Sequence, residues 1–171
     1  MKKYLIVFVS VFVGLVVFMP KQELIFTGLN TLAPQKIEVG IEDNTDMWIY
    51  EDLKGLDVLY DKIKVAKIED VKVFPFILYN RVSATSVTPA DSFSSMFDVK
   101  AYKVVVSYVV FSPKKLSIDA DTSIGKITGE YDLETSKIKI YLKPSADFKN
   151  FKQRGYFKKQ KDGYVYESII R

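Results

Sequence analysis

The rhythm of apolar and polar residues changes twice along the chain. Tyr4 to Met19 (YLIVFVSVFVGLVVFM) is sixteen residues without a charge, followed by Pro20. Gln22 to Leu32 carries Leu24, Ile25, Leu29 and Leu32 at helical spacing, which predicts a short amphipathic helix ended by Ala33-Pro34. From Lys36 the period drops to two, with Ile37, Val39 and Ile41 in strict alternation, and short strands punctuated by turns follow. Leu53 to Val73 reads as two or three strands with turns near Asp61-Lys62 and Glu69-Asp70, and Pro75 ends it. Phe76 to Asn80 reads as one helical turn, Arg81 to Thr88 as a strand, and Pro89 to Phe97 as a loop or short helix.

Val99 to Phe111 (VKAYKVVVSYVVF) is the strongest strand, and from Val104 onward it is apolar on both faces. Such a strand is either central and covered on both sides, or has a second face that meets lipid, a ligand or another protein. Leu116, Ile118 and Ala120 alternate in the next strand. The loop Glu134-Thr135-Ser136-Lys137 then predicts a hairpin pairing Leu133 with Ile138, Tyr131 with Ile140 and Gly129 with Leu142. That hairpin puts its apolar side chains on one face and Lys126, Thr128, Glu130, Asp132, Lys137, Lys139 and Tyr141 on the other. Ala146 to Arg154 reads as a short basic helix, and Asp162-Gly163 turns into a last strand, Tyr164 to Ile170. The fold class predicted is mainly β: an N-terminal transmembrane helix, then a curved antiparallel meander-like sheet with short helices. The division is an anchor over residues 1–21, a linking helix over 22–35 and a β-rich domain over 36–171.

At about 1.5 Å per residue the uncharged run spans about 24 Å as a helix, and Lys3 and Lys21 can snorkel to complete a single crossing. A cleaved signal peptide would end in small residues, whereas this run ends Val17-Phe18-Met19-Pro20. Lys2, Lys3 and the amino terminus face Lys21, Gln22 and Glu23 across the run, so the positive-inside bias keeps the N-terminus in the cytoplasm and places the body outside it.

Composition narrows the chemistry. The 171 residues contain no cysteine and no histidine, which removes disulfides, thiol nucleophiles, imidazole acid–base catalysis and Cys/His zinc sites. The net charge of +4 is unevenly spread: residues 143–171 hold eight basic and three acidic groups, while residues 22–142 hold 14 basic and 18 acidic. A basic tail on a slightly acidic body suits an anionic membrane surface or an acidic partner better than nucleic acid, which wants a continuous basic face. Its ordinary reading is a solvated basic helix and hairpin. Asp121-Thr122-Ser123 has the look of an aspartic-protease turn but occurs once, where that chemistry needs two. Asp119 and Asp121 lack calcium-loop spacing, and no glycine-rich phosphate loop is present. No enzyme activity, metal or cofactor is expected.

Two phrases, Gly55-Leu56-Asp57-Val58-Leu59-Tyr60-Asp61-Lys62-Ile63-Lys64-Val65 and Ser123-Ile124-Gly125-Lys126-Ile127-Thr128-Gly129-Glu130-Tyr131-Asp132-Leu133, follow the anchor and proline-linked helix. In this order they resemble the type II secretion system protein N family, itself similar to the AsmA-like and LptC-like periplasmic β-groove proteins. The resemblance implies a non-catalytic protein held in a bacterial inner membrane by a single pass, its C-terminal domain periplasmic. As an accessory or assembly component, it would have secretion-system subunits as partners. The alternative is a lipid-binding or lipid-transfer module whose apolar groove is lined by Val104, Val106, Tyr108 and Val110 of one strand and Ile127, Tyr131, Ile138 and Ile140 of the hairpin.

Overall fold

A computed structural model describes residues 20–169 except 31–33, 35, 48, 77 and 95–97. Apart from Pro20 and Lys21, the expected anchor over residues 1–21 lies outside the described residues. Among those described, no helix is long and apolar enough to cross a membrane.

The described residues open with helix α1 (Lys21–Asn30) and then build one ten-stranded antiparallel sheet. The first eight strands are β1 (Ile37–Asp46), β2 (Glu51–Tyr60), β3 (Ile63–Pro75), β4 (Tyr79–Pro89), β5 (Ala101–Val109), β6 (Lys115–Thr122), β7 (Gly125–Asp132) and β8 (Lys137–Pro144). They lie side by side in sequence order, a meander of hairpins with one short helix, α2 (Asp91–Ser94), between β4 and β5. After β8 come two 3-10 turns, Ala146–Asn150 and Lys152–Tyr156, a short strand β9 (Lys158–Gln160) and β10 (Gly163–Ile169). β10 pairs with β8, leaving β9 outside it, so β1 and β9 are the two edges of the sheet.

Three expectations are corrected. Glu69-Asp70 is no turn: β3 runs unbroken from Ile63 to Pro75. Tyr79 and Asn80 begin β4 rather than closing a helical turn, because their partners Val109 and Tyr108 on β5 extend the ladder to them. The hairpin register is Tyr131 opposite Ile138, Gly129 opposite Ile140 and Ile127 opposite Leu142, two positions from the pairing expected. The cause is the turn: the Asp132 carboxylate accepts the N–H groups of Glu134 (3.0 Å) and Thr135 (2.8 Å), so Leu133 belongs to the loop. A shift of two keeps every side chain on its face.

The missing turn at Glu69-Asp70 has a physical origin that extends over half the sheet. The pairing skips one transverse row, formed by Glu42, Gly55, Glu69, Ser86 and Tyr102 on β1 to β5. Gly55 and Ser86 in that row have φ of +61° and +53°. One extra residue per strand means that inward positions are three apart there, as in Ile41/Asn44, Leu53/Leu56, Ile68/Val71, Ala84/Val87 and Ala101/Val104, instead of two. β6 carries no extra residue, and the row ends in a bulge between Ala101 and Lys103.

Two buried clusters form at opposite corners of one face. Leu53, Leu56 and Val71 pack with Ile25 of α1, and Ile124, Leu142, Phe148 and Phe151 pack with Phe157 and Tyr164. Cross-strand partners share a face. The register therefore carries one row from Leu53 and Val71 through Ala84, Val104, Ala120 and Ile127 to Leu142 and Tyr164.

Candidate apolar groove

Seven of the eight expected groove residues stand on this covered-at-the-corners face. Val104 and Ile127 belong to the row just traced. Val106, Ile118, Gly129, Ile140 and Tyr166 make the next row, and Tyr108, Leu116, Tyr131, Ile138 and Ser168 the one after. At about 4.8 Å per strand, β5 and β8 are about 14 Å apart, a shallow floor wider than one hydrocarbon chain. Gly129 is buried in it with its space already taken: a Cβ there would stand 2.7 Å from the Lys139 carbonyl oxygen and 3.3 Å from Ile140 Cγ1. Val110, the eighth residue, is past the end of β5 in a turn and 40% exposed.

α1 covers the floor over β1 to β3, and the 3-10 segment covers it over β7, β8 and β10. Between these covers the apolar side chains are only half-buried, and Val82 is 41% exposed. Beside the second cover a cleft of about 420 Å³ opens, with Ile127, Ile140 and Tyr166 as its floor and Phe151, Gln153, Tyr156 and Phe157 as its wall. Its size falls within the range of about 300–1,000 Å³ usual for small-molecule sites. Phe148, Phe151 and Phe157 hold the wall rigid, with ring centroids 5.9 to 6.2 Å apart, and Phe148 packs 4.5 Å from Tyr164. These wall residues were missed in the sequence. Their signal is the three-residue step from Phe148 to Phe151, which suits a 3-10 turn and leaves two rings on one side.

At the far corner α1 is latched by charge. Lys21 Nζ donates to Asp46 Oδ1 at 2.8 Å and to the carbonyl of Met47 at 2.7 Å. Asp46 lies opposite Glu51, whose side chain is wholly buried. The Lys21 hydrogen bond holds the Asp46 carboxyl below its usual range. Burial, then the neighbouring Asp46 charge, pushes Glu51 above its own. On the opposite face Asp52 stands across from Lys72, and Lys54 across from Asp70; Asp52 is itself buried, and desolvation followed by the neighbouring Asp52 carboxyl raises the Asp70 carboxyl above its usual range.

Asp119 and Asp121, the carboxylates a hydrolytic mechanism would need buried, are exposed, and Asp121 faces Lys126 at 3.7 Å. Among the described residues no group of three or more acidic side chains is placed to hold a metal ion. No family model, curated protein or solved structure matches the chain.

Proposed function

We propose that this chain is a membrane-attached, non-catalytic module that binds the acyl chains of a lipid along the apolar face of its sheet. The observation that carries the reading is the continuity of that face: rows of half-buried apolar side chains lead across β4 to β8 into the cleft of about 420 Å³. A closed, filled core would have suited a scaffold held by its outer surface. The long uncharged run Tyr4–Met19 supports attachment to a bilayer, in this reading the bacterial inner membrane with the sheet on its outer side.

Magnitudes favour a long chain. Burying a methylene gains about 0.8 kcal/mol, and association costs about 4–15 kcal/mol of lost freedom. Some six methylenes, about 5 kcal/mol, only reach the bottom of that range, whereas about fourteen reach roughly 11 kcal/mol. Attachment to the membrane raises the effective lipid concentration and reduces the affinity required.

The test is native mass spectrometry of the full chain purified in mild detergent from bacterial membranes, with the co-purifying proteins identified in the same sample. Stoichiometric lipid on the protein is expected. Absence of lipid together with enrichment of secretion-system subunits over a mock purification overturns the reading in favour of the assembly role.

A further inference from the structure

The two ends of the sheet differ in what their connections show to solvent. Because chain direction alternates, the β1–β2, β3–β4, β5–β6 and β7–β8 connections all lie at one end. In them Ile49 is 54% exposed, Phe111 81% and Leu133 46%, and Met47 and Leu78 are exposed as well. At the other end the described connections are mostly polar, with Asp91 and Ser92 after β4, Ser123 after β6 and Lys161-Asp162 before β10. The exposed aromatic and apolar side chains there are Tyr60 and Ile63 beside the Asp61-Lys62 turn, Tyr102 at the start of β5 and Tyr156 before β9, three of the four being tyrosines with a polar hydroxyl. Turns are where polar residues are cheapest to place and apolar ones gain nothing by folding. Four connections with exposed apolar side chains at one end therefore mark a contact surface.

The chain itself points to what covers it. Lys21, the residue after Pro20, is held at this same end by Asp46 and the Met47 carbonyl. The sixteen uncharged residues Tyr4–Met19 thus join the described chain there. We infer that this end of the sheet is seated in the interface of the lipid bilayer, with Phe111 the most deeply inserted side chain. Lys114 and Lys115 follow Phe111 closely enough to hold their ammonium groups at headgroup height while their stems lie along apolar surface. Glu134 and Glu130 pair with those lysines at 2.8 Å, so the attachment is mainly apolar and should change little with salt. The half-buried stripe of Tyr108, Tyr131 and Ile138 reaches this end, which lets a lipid pass from the bilayer onto the groove floor without crossing water. The inference rests on residues 1–21 serving as the membrane anchor.

The absence of cysteine makes the test direct. Phe111→Cys and Leu133→Cys at one end, and Tyr60→Cys and Ile63→Cys at the other, are each labelled with a nitroxide in the full chain. The protein is reconstituted in phosphatidylethanolamine–phosphatidylglycerol vesicles, and access of oxygen is compared with access of a water-soluble nickel chelate. Labels at 111 and 133 are expected to favour oxygen and those at 60 and 63 nickel, a reversal of the ratio between the two ends. All four positions are exposed, so the fold should tolerate each change. If the protein co-floats with vesicles but all four labels favour nickel, the seating is overturned and the anchor stands. If it does not co-float, both are overturned. Labels at 111 and 133 open to nickel in vesicles yet shielded from both reagents in native membranes would give this end to a protein partner and also overturn the inference.

Discussion

Leu53 and Leu56 are three residues apart on β2, yet both are buried in the same cluster on the same face. Gly55 between them makes this possible, because its φ of +61° inserts the extra residue that returns Leu56 to the inner side. A Cβ at Gly55 would stand 2.8 Å from the Cβ of Glu42, which lies over it in the skipped row. Gly55→Ala is therefore expected to destabilise the fold by about 1–2 kcal/mol, through left-handed strain and displacement of Glu42. Ser86, at φ of +53° in the same row, is the converse case. Ser86→Gly trades relief of that strain against chain entropy and is expected within about 0.5 kcal/mol of the parent. Urea unfolding of both variants checks the pair, and equal effects would show that backbone conformation in this row is not the governing factor.

Coverage of the apolar face sets a second contrast. Leu142 is 1% exposed beneath the Phe148 and Phe151 rings, whereas Val82, on the same face between the two covers, is 41% exposed. Leu142→Ala is expected to lower stability by about 2–5 kcal/mol and Val82→Ala by less than about 1 kcal/mol. Chemical denaturation midpoints separate these outcomes. A comparable loss at Val82 would mean that something covers the middle of the sheet in solution.

The alternating strands were legible because the wet face of the sheet keeps its polar residues at every second position. Lys126, Thr128, Glu130 and Asp132 on β7 stand opposite Lys143, Tyr141, Lys139 and Lys137 on β8 as the pattern requires. What misled was local geometry that apolar periodicity does not encode. Ile68 and Val71 straddle Glu69-Asp70 at a spacing that mimics a turn, when in fact the whole row of β1 to β5 holds an extra residue. The hairpin slipped by two because the Asp132 carboxylate, rather than the apolar pairing, closes the loop. The cleft wall was hidden for another reason: Lys149, Lys152 and Arg154 make that segment look solvated, while the rings interleaved with them turn inward. The charge of Lys21, thirty residues away, acts on the buried Glu51 carboxyl, and local sequence cannot carry that.

The Glu51 carboxyl gives a pH dependence of definite sign. Its ordinary value is 4.5, and burial followed by the Asp46 charge raises it in the folded state. The folded protein then holds this proton more tightly than the unfolded chain, so the stability it contributes is full below about pH 4.5 and declines as pH rises through the raised value. Glu51→Gln keeps the shape without the ionisation. The variant should be more stable than the parent at neutral pH, and the gap should close as pH falls toward 4.5. Asp46→Asn should behave oppositely: with its carboxyl held below the ordinary 3.8 by Lys21, it should lose stability at neutral pH and the difference should shrink only in strong acid. Thermal unfolding from pH 3 to 8 reads both signs, and a pH-independent gap for Glu51→Gln would show that ionisation at this site is uncoupled from folding.

A carboxylate placed on the open part of the groove should separate binding from folding. Tyr131 is half-buried on the apolar face, and water still reaches that stripe, so Tyr131→Asp should lower stability by about 1–2 kcal/mol and leave the sheet folded. Once an acyl chain lies over it the same carboxylate would be stripped of water without a partner, a penalty of several kcal/mol. Each factor of ten in affinity corresponds to about 1.4 kcal/mol, so retained lipid is expected to fall at least tenfold. Tyr141, next to Leu142 on β8 but on the opposite face and 43% exposed, provides the control. Tyr141→Asp should keep its lipid. The readout is the lipid-to-protein ratio in native mass spectra of the full chain, beside a thermal melt of each variant. Full retention in the Tyr131 variant, or equal loss in both, would place the lipid elsewhere than on this face.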